Sequence, residues 1–296
     1  MSIFASYDGT PLWYDVAGDG PPLLALGGGP GTDVRYLGVL GGLDGRRTLV
    51  RMDGRAAGRS GVPADRASCA FTAQAADVDA LRRHLGLDRV DVLGHSAGAL
   101  TAQRYAAEFP AATGRLVLVT PVGRAAREPD EAELRTIRAA RADEPWYPDA
   151  AAAASEAAAG TGDPWELAAR LAPFNWGRWD DRARAEAFRE LPPAPAWLRA
   201  AFYAGGAPVR PVDAPVLVVA GGRDGMIGTV PARLVAGCHP HARLEVLAEA
   251  GHRPWVDEPG RFRTLVEEFL TRGRPAGQAP VEGAGAGGQS GVVNRR

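Results

Sequence analysis

Apolar runs of strand length alternate with amphipathic stretches along most of the chain. Residues 72–85 and 97–109 carry apolar side chains at helical spacing, and Gly86 and Pro110 follow them. Strands that are apolar on both faces, separated by helices, are typical of a buried and mostly parallel sheet with flanking helices. The pattern therefore predicts an α/β fold, with strand-like runs at 22–26, 46–53, 89–93, 115–120, 214–220 and 242–247.

The pattern changes between residues 121 and 211, where helix-compatible segments are separated by proline or glycine and no convincing strand occurs. We expect this segment to form a helical cap inserted between two parts of one core, residues 1–120 and 212–272. Residues 273–296 consist mostly of Gly, Ala, Pro, Gln and Ser. Because such a composition buries little apolar surface, the sequence predicts a disordered tail there.

Composition excludes several classes of partner and chemistry. The chain has 296 residues and a formal net charge of -1, so no basic excess points to nucleic acid or an anionic membrane. It contains no lysine, which excludes a Schiff-base lysine and a phosphate-binding loop that needs one. No apolar run reaches membrane-spanning length, and no secretory signal is recognisable at the N-terminus. We expect a cytoplasmic protein.

A candidate nucleophile follows the strand that ends at Leu93. The segment Gly94-His95-Ser96-Ala97-Gly98 lies between that strand and a predicted helix. This is the context of the G-x-S-x-G nucleophile elbow, in which a sharp turn exposes the serine hydroxyl. The glycines allow strand and helix to approach closely, and the helix N-terminus favours a developing oxyanion. The sequence predicts Ser96 as the nucleophile.

A base and an acid follow the last two predicted strands. His252 lies directly after the final strand, and Asp224 follows the strand before it, 28 residues earlier. Loops at the carboxyl ends of parallel strands carry the chemistry in such folds. We expect His252 to be the general base and Asp224 to orient it. The remaining histidines fit a structural role better: His84, His95, His239 and His241.

An oxyanion hole needs two backbone amides, one from the residue after the nucleophile and one from the loop after an earlier strand. Ala97 supplies the first. The loop Gly27-Gly28-Gly29-Pro30-Gly31 supplies the second, with Gly29 as the best candidate and Gly28 next. This chemistry needs neither a metal nor an organic cofactor. The expected partner is a small-molecule or short-peptide substrate.

Together these segments resemble the α/β-hydrolase superfamily, and more closely its proline iminopeptidase-like branch of serine aminopeptidases. The loop 27–31 is similar to the branch's His-Gly-Gly-Pro-Gly, with Gly27 in place of the histidine. Residues 53–60 are similar to its Asp-x-Arg-Gly-x-Gly-x-Ser, with Ala56 in place of a glycine. The resemblance covers roughly residues 5–271.

The resemblance implies an α/β-hydrolase fold and release of an N-terminal residue from a short peptide. In that branch acidic residues of the cap bind the substrate's free amine. Trp165-Glu166 is the nearest match here, and Trp176 belongs to a set of cap aromatics of which a few should line an apolar pocket.

Two other functions remain open. The elbow His95-Ser96-Ala97 is common in esterases and lactonases, so a small-molecule esterase or lactonase is the first alternative. A ligand receptor with vestigial turnover is the second, because one fold hosts many functions.

Overall fold

The computed structural model describes residues 2–189, 191, 194–204, 206 and 210–272; the predicted disordered tail, 273–296, lies outside them. Eight strands form one sheet in the order β1-β2-β4-β3-β5-β6-β7-β8. β1 and β2 are antiparallel to their neighbours, and all other pairs are parallel. The strands are β1 (Ser2–Ala5), β2 (Pro11–Ala17), β3 (Pro22–Leu26), β4 (Thr48–Met52), β5 (Val90–His95), β6 (Thr113–Val119), β7 (Val216–Gly221) and β8 (Ala242–Leu247).

Alternate residues of the central strands pack into two different cores. In β3, Leu23 and Ala25 face one core, whereas Leu24 and Leu26 face the other. Because both faces are covered, the strands are apolar at successive positions rather than at every second one. The predicted α/β class, with a mostly parallel sheet and flanking helices, is confirmed.

Helices cover both faces of the sheet. One face packs against α1 (Phe71–His84), α2 (Gly98–Glu108) and α8 (Val230–Cys238). The other packs against α9 (Pro254–Asp257) and α10 (Pro259–Thr271). The sequence prediction missed α8, in which the apolar residues are diluted by Pro231, Gly237 and Arg233.

Five helices and no strand lie between β6 and β7 in the described part of the chain. They are α3 (Glu131–Ala139), α4 (Tyr147–Ala158), α5 (Pro164–Leu171), α6 (Asp181–Ala187) and α7 (Leu198–Tyr203). We call residues 121–211 the cap. No helix among the described residues has the length and apolar character that a bilayer crossing requires.

A buried arginine joins the edge of the sheet to α1. Arg55 donates to the carboxylate of Asp77 from Nε and Nη2, both at 2.7 Å, and to Asp8 from Nη1 at 2.5 Å. The side chains of Arg55 and Asp77 are 0% and 1% exposed. A charge held this far from water needs its partner, because water cannot replace it.

Replacing Arg55 by Met should therefore lower the free energy of unfolding by about 3–5 kcal/mol, since Asp77 would stay buried without a cation. The matched control is Arg104→Met, which breaks a partly exposed helical pair with Glu108. That pair is worth roughly 0.3–0.5 kcal/mol. Urea unfolding followed by circular dichroism measures both, and equal losses in the two variants would contradict the prediction.

Candidate active site

The carboxyl ends of five neighbouring parallel strands meet at one edge of the sheet. The strands β3, β5, β6, β7 and β8 lie side by side in this order. Three segments that leave them are named here the oxyanion loop (residues 27–31, after β3), the acid loop (222–229, after β7) and the base loop (248–253, after β8). Ser96 follows β5 at the same edge. The sheet therefore gathers all the predicted catalytic segments in one place.

The turn between β5 and α2 puts Ser96 in the left-handed backbone region, with φ at 53°. This conformation costs a residue other than glycine on the order of 1–3 kcal/mol. A Cβ on Gly94 would lie 2.7 Å from the Cα of Ala99, and one on Gly98 would lie 2.6 Å from the carbonyl oxygen of Leu26. Only glycine fits at these two positions, because strand, turn and helix are in backbone contact.

Ser96, His252 and Asp224 form a hydrogen-bonded row. Nε2 of His252 is 3.0 Å from Oγ of Ser96, and Nδ1 is 2.7 Å from Oδ2 of Asp224. Oδ1 of Asp224 accepts from the amides of Met226 and Ile227. Because a carboxylate only accepts, Nδ1 carries the proton and the lone pair of Nε2 faces the serine. The structure brings together the three residues that the sequence predicts as nucleophile, base and acid.

The amides of Gly29 and Ala97 have no hydrogen-bond partner among the described residues. The amide of Gly28, in contrast, donates to the hydroxyl of Tyr36 at 2.6 Å. Gly28 has a different importance, since a Cβ there would overlap the Cβ of Ser96 and lie 2.7 Å from the carbonyl oxygen of His95. Of the two predicted loop donors, Gly29 alone has a free amide.

His95 connects the oxyanion loop to the base loop. The hydroxyl of Tyr36 lies 2.5 Å from Nδ1 of His95, and Nε2 of His95 lies 2.9 Å from the carbonyl oxygen of His252. The hydroxyl of Thr120 donates to the same carbonyl at 3.0 Å. As the sequence predicted, His95 does not bond to Ser96; the expectation that it would bond locally is wrong, because its partners lie 59 and 157 residues away in the chain. The roles of Tyr36 and Thr120 were not predicted.

One sequence signal could have pointed to Tyr36. The family pattern has histidine at the position of Gly27. The glycine leaves room for the ring of Tyr36, because a Cβ at this position would lie 3.2 Å from that ring. Burial raises the pKa of Tyr36 to about 12. Burial, and after it the charge on His252, lowers the pKa of His95 well below its usual value of 6.5. Both side chains are therefore neutral at physiological pH.

The cap contributes backbone contacts to both catalytic loops. The carbonyl oxygen of Phe174 accepts from the amide of Gly225 in the acid loop at 2.9 Å. The next carbonyl, that of Asn175, accepts from the amide of His252 at 2.7 Å. Glu133 of α3 accepts from the amides of Thr229, the last residue of the acid loop, and Val230, the first residue of α8. The cap thus holds His252 and the loop that carries Asp224 in place.

The structure does not bring the three predicted substrate residues together at the site. Trp165 is 79% exposed on α5, and Glu166 beside it is also exposed. Trp176 is 2% exposed, but it packs into the core beneath the guanidinium of Arg253. The side of α5 that faces inward carries Leu167 instead, so the helix turns the pair 165–166 towards solvent.

A small cavity lies beside the elbow, with room for about three water molecules. Gly28 and Ala97, the neighbours of Ser96, belong to its wall, although Ser96 itself does not. No carboxylate occurs among the described residues that line it. Its larger apolar side chains are Leu26, Met52, Leu198 and Phe202, and its polar ones are Thr32, Arg55, Gln74 and Thr101.

Replacing Gly28 by Ala should lower kcat by about 100-fold, since the methyl group must push the oxyanion loop away from Ser96. Gly237→Ala is the matched control: a Cβ there meets no atom within 4 Å. Steady-state hydrolysis of p-nitrophenyl butyrate measures both. Full activity of Gly28→Ala would show that the loop can move without cost.

Stability should fall as the pH drops below 6.5, because the unfolded chain then binds a proton that folded His95 does not. The slope for such a group approaches about 1.4 kcal/mol per pH unit until its folded pKa is reached. His95→Gln removes this part of the slope, whereas His239, whose pKa burial also lowers, still contributes. Urea unfolding at pH 7.5, 6.5 and 5.5 measures the slopes; identical slopes in wild type and His95→Gln would contradict the assignment.

Known proteins are similar to this chain in sequence and in fold. The chain is 26% identical over 280 residues to a proline iminopeptidase from Lactobacillus delbrueckii subsp. lactis, covering 86% of this chain and 91% of that protein. Its fold is similar to that of an esterase from Rhodococcus sp. ECU1013, with a TM-score of 0.67 and 24% identity over 92% of this chain and 99% of that one. A hydrolase from Pseudomonas aeruginosa PA01 gives a TM-score of 0.65 and 26% identity over 91% of this chain and 98% of that one.

The family described as alpha/beta hydrolase fold matches residues 21–259, which extend from the start of β3 to the start of α10. This span contains the elbow, the oxyanion loop, the acid loop and the base loop. The chain belongs to the α/β-hydrolase family.

Proposed function

We propose that this protein is a serine hydrolase that cleaves small carboxylic esters through an acyl-enzyme. The observation that carries the proposal is the hydrogen-bonded row Ser96–His252–Asp224. A serine hydroxyl becomes a useful nucleophile only when a base takes its proton, and Nε2 of His252 is within reach. Asp224 keeps the imidazole in the required tautomer and stabilises it when it is charged.

Both half-reactions use the same groups. Oγ of Ser96 bonds to the carbonyl carbon as its proton moves to Nε2 of His252, and the amides of Gly29 and Ala97 stabilise the oxyanion. The proton then passes to the alcohol oxygen as the carbon–oxygen bond breaks. Water attacks the acyl-serine next and gives a proton to Nε2, which returns it to Oγ as the carboxylic acid leaves. Atoms and charges balance without a further reactant.

The cavity favours an uncharged acyl group. An enzyme that binds a substrate's free ammonium must supply a carboxylate, because a desolvated ammonium without one is costly. The described cavity wall contains none, and Glu166 faces solvent. Arg55 in that wall is already bonded to Asp8 and Asp77. A short, neutral acyl chain therefore suits the site better than a charged residue.

The likeness to a proline iminopeptidase favours a second candidate, an aminopeptidase that acts on short peptides. It requires an acidic group near Ser96 from elsewhere in the cap. A ligand receptor with vestigial turnover is the alternative from another class of function. The intact row of nucleophile, base and acid, with two free amides beside it, argues against that reading.

A substrate panel tests the proposal. We expect hydrolysis of p-nitrophenyl acetate and butyrate, little activity on the octanoate because the cavity is small, and none on proline β-naphthylamide. Ser96→Ala should lower kcat by about 10⁴-fold or more, since the covalent route is lost. Thr136→Val, which removes a hydroxyl from an exposed position of α3, is the control and should keep full activity.

Two results would overturn parts of the proposal. Faster release of naphthylamine than of p-nitrophenol would establish the aminopeptidase instead. A fluorophosphonate probe should label wild type and leave Ser96→Ala unlabelled; an unlabelled, folded wild type with no turnover would favour the receptor.

A further inference from the structure

We propose that Tyr36 is a positioning residue that couples the oxyanion loop to the base loop through His95. This proposal rests on the function proposed above for Ser96 and His252. The hydrogen-bonded chain runs from the amide of Gly28 through the Tyr36 hydroxyl and the His95 ring to the carbonyl of His252. It therefore begins one residue before Gly29, whose amide has no partner among the described residues, and ends on His252, the proposed general base.

Only one arrangement of protons satisfies this chain. The carbonyl of His252 can only accept, so Nε2 of His95 donates to it. A neutral imidazole has a single N–H, and Nδ1 of His95 must then accept from the hydroxyl of Tyr36. The oxygen of Tyr36 in turn accepts from the amide of Gly28. Every donor meets an acceptor, and the chain has one direction.

This row of hydrogen bonds is closed to solvent. Tyr36 is 3% exposed and His95 2%. Without the phenolic oxygen, both the amide of Gly28 and Nδ1 of His95 would lose their partner in a place that water does not reach, which is costly for buried polar groups. The loops would relax to satisfy these groups, and the geometry at Ser96 would change with them.

The base loop has other anchors, so it should survive this loss. The carbonyl of His252 also accepts from Thr120, and its amide donates to Asn175. The hydrogen bonds through Tyr36 additionally fix the position of the base relative to the oxyanion donor. A displacement of about 1 Å between such groups can cost up to 100-fold in rate. The effect falls on the chemical step, because the larger apolar side chains of the cavity wall, Leu26, Met52, Leu198 and Phe202, take no part in these hydrogen bonds.

Tyr36→Phe separates the hydrogen bonds from packing, since the ring keeps its contacts with His95, Trp255 and Arg253. Tyr14→Phe is a matched control: Tyr14 is 5% exposed, and its hydroxyl pairs with Nε2 of His84 at 3.2 Å in another part of the fold. Each variant deletes one phenolic oxygen from a buried tyrosine that pairs with a histidine; His95 is buried, whereas His84 is exposed.

We expect kcat of Tyr36→Phe on p-nitrophenyl butyrate to fall about 10- to 100-fold, with KM changed by less than about twofold. Tyr14→Phe should keep its kcat, and its melting temperature should fall less than that of Tyr36→Phe, because the ring of His84 is exposed to water. Equal kcat in the two variants, or a loss confined to KM, would overturn the proposal.

Substitution of His95 tests the other half of the chain. Glutamine carries one acceptor and one donor on its amide and can bond to both Tyr36 and His252, whereas leucine can bond to neither. His95→Gln should recover most of the kcat that His95→Leu loses. Equal losses would show that shape at this position matters and the hydrogen bonds do not.

Long-range ¹H–¹⁵N spectra of histidine-labelled protein test the chain without turnover. In wild type the proton of His95 should reside on Nε2, and Tyr36→Phe should shift the Nδ1 resonance of His95 alone. A proton on Nδ1 would overturn the proposal even if the enzyme is active. Conversely, a wild type that shows this tautomer but hydrolyses no ester would refute the proposed function and leave the chain of bonds established.

Discussion

The site depends on a backbone contact between the oxyanion loop, the nucleophile elbow and the start of α2. Gly98 packs on the carbonyls of Leu26 and Gly27, and Gly28 packs on Ser96 itself. No side chain fits into either contact. The closeness brings the loop that carries Gly29 against the elbow that carries Ala97, the two residues whose amides have no hydrogen-bond partner among the described residues. The left-handed conformation of Ser96 costs free energy. The packing of this contact between strand and helix offsets that cost.

The cap is bonded directly to the loops that carry Asp224 and His252. Two successive carbonyls, of Phe174 and Asn175, accept hydrogen bonds from the acid loop and the base loop. The carboxylate of Asp257 adds a further link, since it accepts from Gly177 of the cap and Gly251 of the base loop. A cap that lifted away as a rigid body would have to break these buried bonds. Substrate entry by movement of other parts of the cap, such as α5 or α6, requires no such loss.

Two histidine rings lie with centroids 4.8 Å apart beside the serine, yet they have opposite tasks. In the proposed mechanism His252 gains a proton during the reaction. His95 must not, because a second positive charge there would disfavour the imidazolium form of His252. Burial and the acceptor and donor roles fixed by Tyr36 and the His252 carbonyl keep His95 neutral. Asp224 bonds to Nδ1 of His252 and not to the ring of His95, and this contact distinguishes the two histidines.

The sequence by itself determined the class of fold and the order of the catalytic segments. The apolar runs indicate that both faces of the strands are buried. The glycines on either side of Ser96 indicate a turn that has no room for a Cβ. The positions of Asp224 and His252 directly after strands suffice to place them at one edge, because parallel strands all end there. Only the tertiary structure decided which face each helix presents: Leu167 of α5 is buried, and Trp165 with Glu166 is exposed. It also decided the links through Tyr36, Thr120 and Asn175. These links join residues that are far apart in the chain, and several of them end on backbone carbonyls. Because every residue has a backbone carbonyl, the sequence does not show which ones accept these hydrogen bonds.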